Sequence, residues 1–345
     1  MRWKLALIAL LTLVFLAAVM HGLDLEQARQ ALASTSWPVV LAGTLLYIPL
    51  HLMRSGRLWL LLGGENGAGQ RLSYWRVVSI NAIGFLAINV IPLRLGEAVR
   101  PWLLHEREGI SWGRCLAAIV MERIQDFAAL LVMLMGVSFL VELPAEGIVV
   151  QGVDVLRAGQ RVAGTFLVLG VIAGALVMTV GEPVLGRIER LPLGKGVSGL
   201  FRRFREGIVE LLRRPLLGLV SLLLTVGVWG TTVASVAVML SSMPGLPVSL
   251  ASAWTTWTLT LSGMTAVPTP GFFGAYELFC SAALWLFGVD PHLARTFAVV
   301  LHLAQFSFTL VAGGLGMLVE GVGARQLLVR PQAGGASADP GPAGG

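Results

Sequence analysis

The sequence predicts an all-α polytopic integral membrane protein, with about six spanning helices and two re-entrant, broken helical hairpins arranged as an inverted repeat. Three observations carry the prediction. First, hydrophobic residues make up 56% of the 345-residue chain and charged residues only 13%, with a mean hydropathy of +0.80, whereas soluble domains carry about 25% charge. A soluble fold of this size has too little polar surface to cover so much apolar material. Second, the apolar residues fall into uncharged runs of membrane-crossing length. Third, the basic residues between those runs are spread so unequally that they choose between topologies.

The runs follow in order. Leu5 to Leu23 comes after Arg2 and Lys4; with no small-x-small cleavage site, it reads as a first transmembrane helix and not as a signal peptide. A second run lies between Arg29 and Arg54, and a third, Val77 to Leu93, has 17 uncharged residues. The fourth, about Cys115 to Val141, carries Glu122, Arg123 and Asp126, and the fifth spans Val162 to Gly181. Pro215 to Tyr276 is 62 residues without Asp, Glu, Lys, Arg or His. At about 20 residues per crossing, this stretch holds at least two embedded segments. A last run covers Thr296 to Val319.

Loop charge decides how these runs are threaded. If Val77–Leu93 crosses fully, the loops on the N-terminal side hold 9 Lys/Arg and the others 15. If it dips in, breaks at Pro92 and returns through Glu97–Leu104, the count becomes 20 inside and 4 outside, with Arg123 left in the membrane. Cytoplasmic loops carry the Lys/Arg excess, so the second threading is preferred, with both termini cytoplasmic. A second hairpin is read in the other half. Ala251–Ala266 breaks at Pro268-Thr269-Pro270-Gly271 and resumes as Phe272–Phe287, entering from outside. Each half then reads helix, helix, broken hairpin, helix, and the halves begin on opposite faces, as in many secondary transporters.

These readings make residues 1–330 a single membrane domain in a cytoplasmic or inner membrane, with repeat 1 at about 5–141 and repeat 2 at about 162–319. Between the repeats, Glu182–Arg214 holds eight Lys/Arg against four acids. Leu200, Phe204, Ile208, Leu211 and Leu212 recur there at helical spacing, which predicts an amphipathic interfacial helix on anionic headgroups; an ordinary topogenic loop is the alternative. The Gly, Ala, Pro and Ser of residues 331–345 predict a disordered tail.

Several function classes lack support. Of the 25 basic residues 23 are Arg, and they cluster between apolar runs and not on a nucleic-acid-binding face. Cys115 and Cys280 offer no disulfide framework, the five histidines no metal motif, and no Walker loop or dinucleotide fingerprint is present. No cofactor is expected.

Ionisable groups at membrane depth each cost about 2.5–3.5 kcal/mol on insertion scales, so they mark functional positions. In the segment from Asn89 to Arg100, Pro92 stops the first half-helix and Gly96 permits a tight reversal. A second half-helix starting near Glu97 presents free N–H groups that favour an anion. Arg94 and Arg100 lie close by, and guanidinium is shaped for bidentate phosphate contact. The candidate substrate-binding set is therefore Arg94, Glu97, Arg100, Glu122, Arg123, Asp126 and Glu277. The hairpin breaks fall at Asn89, Pro92, Gly96, Pro268, Pro270, Gly271 and Gly274.

Glu97 with Arg100, and Arg123 with Asp126, are also spaced to pair and neutralise each other on one helix. Glu277 has no charged neighbour in sequence; Arg94, Arg100 or Arg123 are its candidate partners, Arg100 first. Arg54 and Arg57 read as interface anchors with Trp59, and as possible headgroup contacts. His302 and Gln305 read as interhelical hydrogen-bonding groups.

The patterns Asn89-x-x-Pro92-x-Arg94-x-Gly96-Glu97-x-x-Arg100, Glu122-Arg123-x-x-Asp126 and Pro270-Gly271-x-x-Gly274-x-x-Glu277 resemble the flippase-like family, which includes the transmembrane region of lysylphosphatidylglycerol synthases. The resemblance runs from about Leu5 to Gly321. It departs at Leu93 and Leu95, where the family pattern often has Gly. Full-length synthases carry a soluble aminoacyl-transfer domain after this region, and nothing foldable follows Val329 here. The resemblance thus implies a protein that moves or binds lipid and does not aminoacylate it.

The first expectation is a carrier for an anionic or aminoacylated phospholipid, or a polyprenyl-phosphate lipid, its phosphate held between the hairpins by Arg94, Arg100 and Arg123. Arg100→Ala is then expected to abolish transport and leave expression intact. Its partners are membrane phospholipids and a separately encoded lipid-modifying enzyme, with no nucleic acid. The alternatives are a membrane-embedded lipid transferase with Glu97 or Asp126 as base, against which stands the lack of a nucleophile–base pair, and an accessory subunit in envelope lipid or glycolipid assembly.

Overall fold

The structure, a computed structural model, describes residues 24–91, 96–140, 149–150, 153–154, 186–187, 190, 198–199, 202, 215–266, 269–323 and 326–327. The first apolar run, the fifth run, most of the 182–214 loop and the 331–345 tail lie outside them. So do Pro92, Arg94 and Pro268.

The described chain is helical apart from a two-residue antiparallel pair, Val149–Val150 with Val153–Asp154. Its helices are α1 (Leu25–Ala33), α2 (Trp37–Leu45), α3 (Tyr47–Leu61), α4 (Tyr74–Val90), α5 (Val99–Glu108), α6 (Trp112–Leu140), α7 (Pro215–Leu240), α8 (Leu250–Ala266), α9 (Ala275–Trp285) and α10 (Pro291–Glu320). Among the described residues, three stretches are long and apolar enough to cross a membrane: Trp37–Leu61, which joins α2 to α3, together with α7 and α10. The joint at Leu46 falls where Pro49 has no N–H to offer the Leu45 carbonyl. Leu216, Leu219, Leu222, Leu223 and Val226 on α7, and Leu310, Val311, Leu315, Leu318 and Val319 on α10, are exposed. Such apolar stripes suit contact with lipid tails.

Side-chain pins order the helix ends. At one end, Arg114 donates to the carbonyls of Leu62 and Glu65, Arg76 pairs with Glu108 at 2.7 Å, and Ser79 donates to Glu320. This end holds four arginines, Arg71, Arg76, Arg107 and Arg114, against Arg29 and Arg295 at the opposite end, and for that arginine excess we call it the basic end, although Glu65, Glu106, Glu108 and Glu320 lie there too. At the opposite end, the Ser36 N–H donates to the Ser242 carbonyl at 2.8 Å and the Asp24 N–H to His292 Nδ1 at 3.1 Å. Helices α6 and α7 therefore run from the basic end to the opposite end, and α2–α3 and α10 run back.

The hairpins interrupt this frame. Helix α4 starts at the basic end and stops at Val90, because Ile91, lying before Pro92, is extended with φ −88° and ψ 120°. Helix α5 returns to the basic end, where the Gly67 N–H donates to the Glu108 carbonyl at 2.7 Å. Gly109, left-handed with φ 64°, caps it. At ten residues, α5 is about 15 Å long, half a bilayer core. In the other half, α8 enters from the opposite end and α9 returns to it, with Gly245 against Leu293 beside the exit. The two hairpins enter from opposite ends, and their tips meet where Gly271 packs against the Asn89 carbonyl.

The first tip has no spare room. A Cβ at Gly96 would collide with the backbone of Ala87 and Ile88. Gly96→Ala is therefore expected to destabilise the protein by about 1–3 kcal/mol, seen as a lower unfolding temperature in detergent. An unchanged midpoint would contradict this close approach.

Each hairpin has its own apolar core. Leu58, Ile80, Ile83, Val99, Leu103 and Leu104 surround the first; Val236, Tyr276, Cys280, Leu284, Phe297 and Leu301 surround the second. Polar and charged residues lie between them.

Candidate functional site

The centre of the polar layer is an ion-pair network that joins three helices. Glu122 on α6 lies 2.9 Å from Arg100 on α5 and 3.7 Å from Arg57 on α3. Arg57 also reaches Asp126 at 2.8 Å and donates to Thr225 Oγ1 on α7 at 3.0 Å. Arg100 donates to Asn81 on α4 at 3.2 Å, and Asn81 donates in turn to Ser55 at 3.1 Å. Both arginines are buried, with side chains 1% and 0% exposed. Room for Arg100 is made on α4, where a Cβ at Gly84 would overlap its Cγ.

These contacts correct three sequence expectations. Arg57 is not an interface anchor but the hub of the network. Arg100 pairs with Glu122 and not with Glu97 three residues away. Because Arg100 is wholly buried, Arg100→Ala would leave the buried Glu122 carboxylate with only the longer 3.7 Å contact to Arg57, so intact expression does not follow. The α6 expectation holds: Arg123 lies 3.3 Å from Asp126, and Glu122 and Asp126 share the face turned to Arg57.

Glu277 is the fourth correction. Its partner is neither Arg100 nor Arg123 but His302 on α10, Nδ1 to Oε1 at 2.6 Å. Its other oxygen accepts from the Gly274 N–H at 2.6 Å, capping the first turn of α9. Gln305, one turn on from His302, accepts from Tyr276 at 3.2 Å and from Tyr47 at 3.4 Å. The expected interhelical role of His302 and Gln305 is what the structure shows. The second tip is strained: Gly271 and Phe272 both have positive φ, 60° and 61°. For phenylalanine this costs about 1–3 kcal/mol.

A cavity of about 350 Å³ opens between the hairpin tips. Its charged lining is Arg54, Glu97, Arg123 and Asp126, with Asn89 from the first tip and Phe272 from the second. Arg54 is the residue sequence reasoning undervalued. Among the described residues it has no hydrogen bond or ion pair; its guanidinium lies over the Phe85 ring at 4.8 Å. Trp229 and Trp257 also line the cavity, and their indole N–H groups are buried without acceptors among the described residues. Around this site, four guanidiniums (Arg54, Arg57, Arg100, Arg123) face three carboxylates (Glu97, Glu122, Asp126), so the balance is positive. An uncommitted guanidinium and surplus positive charge together suit an anion. No group of three His, Cys, Asp or Glu side chains that could hold a metal occurs among the described residues.

Fold and site define a multi-pass helical membrane protein whose two opposed broken hairpins close on a charged cavity. The chain belongs to the family of the lysylphosphatidylglycerol synthase TM region, which matches residues 3–313. It is also similar to Glycosyltransferase AglD of Haloferax volcanii, 25% identical over 342 residues, which cover 90% of this chain and 53% of that protein. The chain thus spans about half the length of this curated relative. No solved structure matches it.

Proposed function

We propose that the protein carries an anionic or aminoacylated phospholipid, or a polyprenyl-phosphate lipid, across the cytoplasmic membrane, without chemistry of its own. The observation that carries this reading is the cavity between the tips, with its uncommitted Arg54 guanidinium and Arg123. Its volume lies within the range of ligand pockets, about 300–1,000 Å³, and Leu50, Phe127, Leu130, Leu261 and Met264 supply apolar wall beside the charges. Arg54 and Arg123 take the phosphate; Glu97 and Asp126 compete for the same guanidiniums and release it. With the basic end in the cytoplasm, the first hairpin enters from inside and the second from outside, both termini are cytoplasmic, and about six spans form an inverted repeat. Opposed hairpins then give the cavity one gate to each face.

The similarity to a protein named a glycosyltransferase supports a second reading, in which this domain presents a lipid-linked substrate to an enzyme of glycolipid assembly. The test reconstitutes the protein in liposomes containing fluorescent phosphatidylglycerol or its lysyl-modified form, and follows transfer from the inner leaflet by dithionite quenching. Crossing well above empty liposomes is expected. No crossing for any anionic headgroup, with or without a proton gradient, would overturn the carrier reading in favour of substrate presentation.

A further inference from the structure

We propose that lipid reaches the cavity sideways, through a doorway between the middle of α6 and the last turn of α8, and that its acyl chains stay outside in the bilayer while the headgroup passes. The doorway rests on the reading that the cavity takes a lipid phosphate, and the first reason for it is size. About 350 Å³ lies near the lower limit of pockets that enclose a drug-sized group. Such a space holds a headgroup but not two acyl chains as well. The chains must leave through a gap in the wall, and the fold shows where that wall is open.

Most of the wall is sealed. Tyr47, Leu50, Trp229, Thr232, Trp257 and Met264 line the cavity and are buried. Between α3 and α10, Tyr47 donates to Gln305 at 3.4 Å and packs against the Phe308 ring at 5.7 Å. Toward the opposite end, α6 and α8 are locked together. The Trp254 indole N–H donates to the Met133 carbonyl at 2.9 Å, and a Cβ at Gly136 would press on the same indole. From Trp254 to Thr265, α8 advances about 16 Å into the bilayer and away from this lock. There the wall opens: among the described residues that line the cavity, Phe127 on α6 and Thr265 on α8 alone are exposed, Phe127 at 45%.

The chemistry of the gap fits its occupant. Arg123 lies one turn before Phe127 on the same face of α6, lines the cavity, and has a side chain 41% exposed. A guanidinium so open at membrane depth is costly unless an anion meets it, and its partner Asp126 is already shared with Arg57. A phosphate at the doorway meets that charge from the bilayer side. Phe127 and Leu261 offer apolar surface to the start of the chains, and Arg54 on α3 offers the phosphate a second guanidinium in the same cavity. The chains never cross the polar layer, so the rate of crossing depends on the headgroup and not on chain length.

The test uses the full chain with Thr265→Cys in liposomes holding fluorescent phosphatidylglycerol. Cys115 and Cys280 are buried, so a bulky, membrane-permeant methanethiosulfonate is directed to the introduced thiol. Crossing is measured before modification, after it and after reduction, on one folded preparation. It is expected to fall about tenfold or more on modification and to recover on reduction. Leu315→Cys, on the exposed stripe of α10, is expected to show no such fall. An unaffected rate at Thr265→Cys, or an equal fall at both positions, overturns the doorway. Rates that drop as the acyl chains lengthen would mean that the chains enter the cavity, and overturn it too. Should the unmodified protein move no lipid, the carrier reading falls and photolabelling decides the doorway. Phosphatidylglycerol with a diazirine on one acyl chain is photolysed in nanodiscs, with the wild-type chain and with Arg54→Ala. Labelling at Phe127 and residues 261–265 is expected, weakened about tenfold in Arg54→Ala, with labelling of Leu222 on the α7 stripe unchanged. Labelling at the doorway no stronger than at Leu222, or indifferent to Arg54→Ala, overturns it.

Discussion

Glu122→Ala is expected to lower the unfolding free energy by about 3–5 kcal/mol, the range for removing one partner of a buried ion pair. Glu122 stands between Arg57 and Arg100, both buried, so its loss leaves Arg57 with Asp126 alone and Arg100 with only the neutral Asn81. The Nε and Nη2 atoms of Arg100 have no partner among the described residues even in the intact protein, so there is little to compensate. The measurement is the unfolding midpoint of the detergent-solubilised protein. Arg100→Leu with Glu122→Leu removes both charges together and is expected to be less destabilising than Glu122→Ala, since no charge is orphaned. Equal loss in both variants would mean that packing and not charge dominates at this position.

Arg54→Ala is expected to act in the opposite way. Because Arg54 has no ion pair or hydrogen bond among the described residues, its removal orphans no polar partner, and the unfolding free energy should fall by no more than its contact with the Phe85 ring is worth, about 0.5–2 kcal/mol. Transport of an anionic lipid should fall about tenfold to a hundredfold, the equivalent of losing one hydrogen bond to a charged group at about 1.5–3 kcal/mol. Stability and transport measured on the same preparation separate the two arginine classes: Arg54 changes transport first, Arg57 and Arg100 change stability first. Normal lipid transport by Arg54→Ala would remove it from the headgroup site.

Much of the fold was legible because its causes are local. Ile91 stops α4 for the reason Pro92 predicts, and α8 ends just before the Pro268–Pro270 segment. The short second half-helices, α5 and α9, follow from the same breaks. Opposite entry of the hairpins was legible too, from the counting of loop arginines.

The candidate site was legible only as a set. Arg100, Glu122, Arg123 and Asp126 do converge, because an ionisable group in an apolar run must find a partner. The partners themselves were not readable. Arg57 looked like an anchor because it lies near the end of its run, and Glu277 looked suited to an arginine because charge alone was considered. The available signal was the polar residues embedded in otherwise apolar helices: Ser55, Asn81 and Thr225 beside the arginines, and His302 on α10.

The amino-acid sequence by itself determined that this chain lies in a membrane, where its helices break, and which few charged residues sit at depth. Composition, proline and helical period act over one or two turns, and they need no knowledge of neighbours. Only the tertiary structure decided which arginines are consumed by structure and which face the cavity. That division depends on how α3, α5, α6 and α7 are rotated against one another. A guanidinium turned toward Glu122 is neutralised, while one a single turn away, at Arg54, lies over the Phe85 ring and faces the cavity.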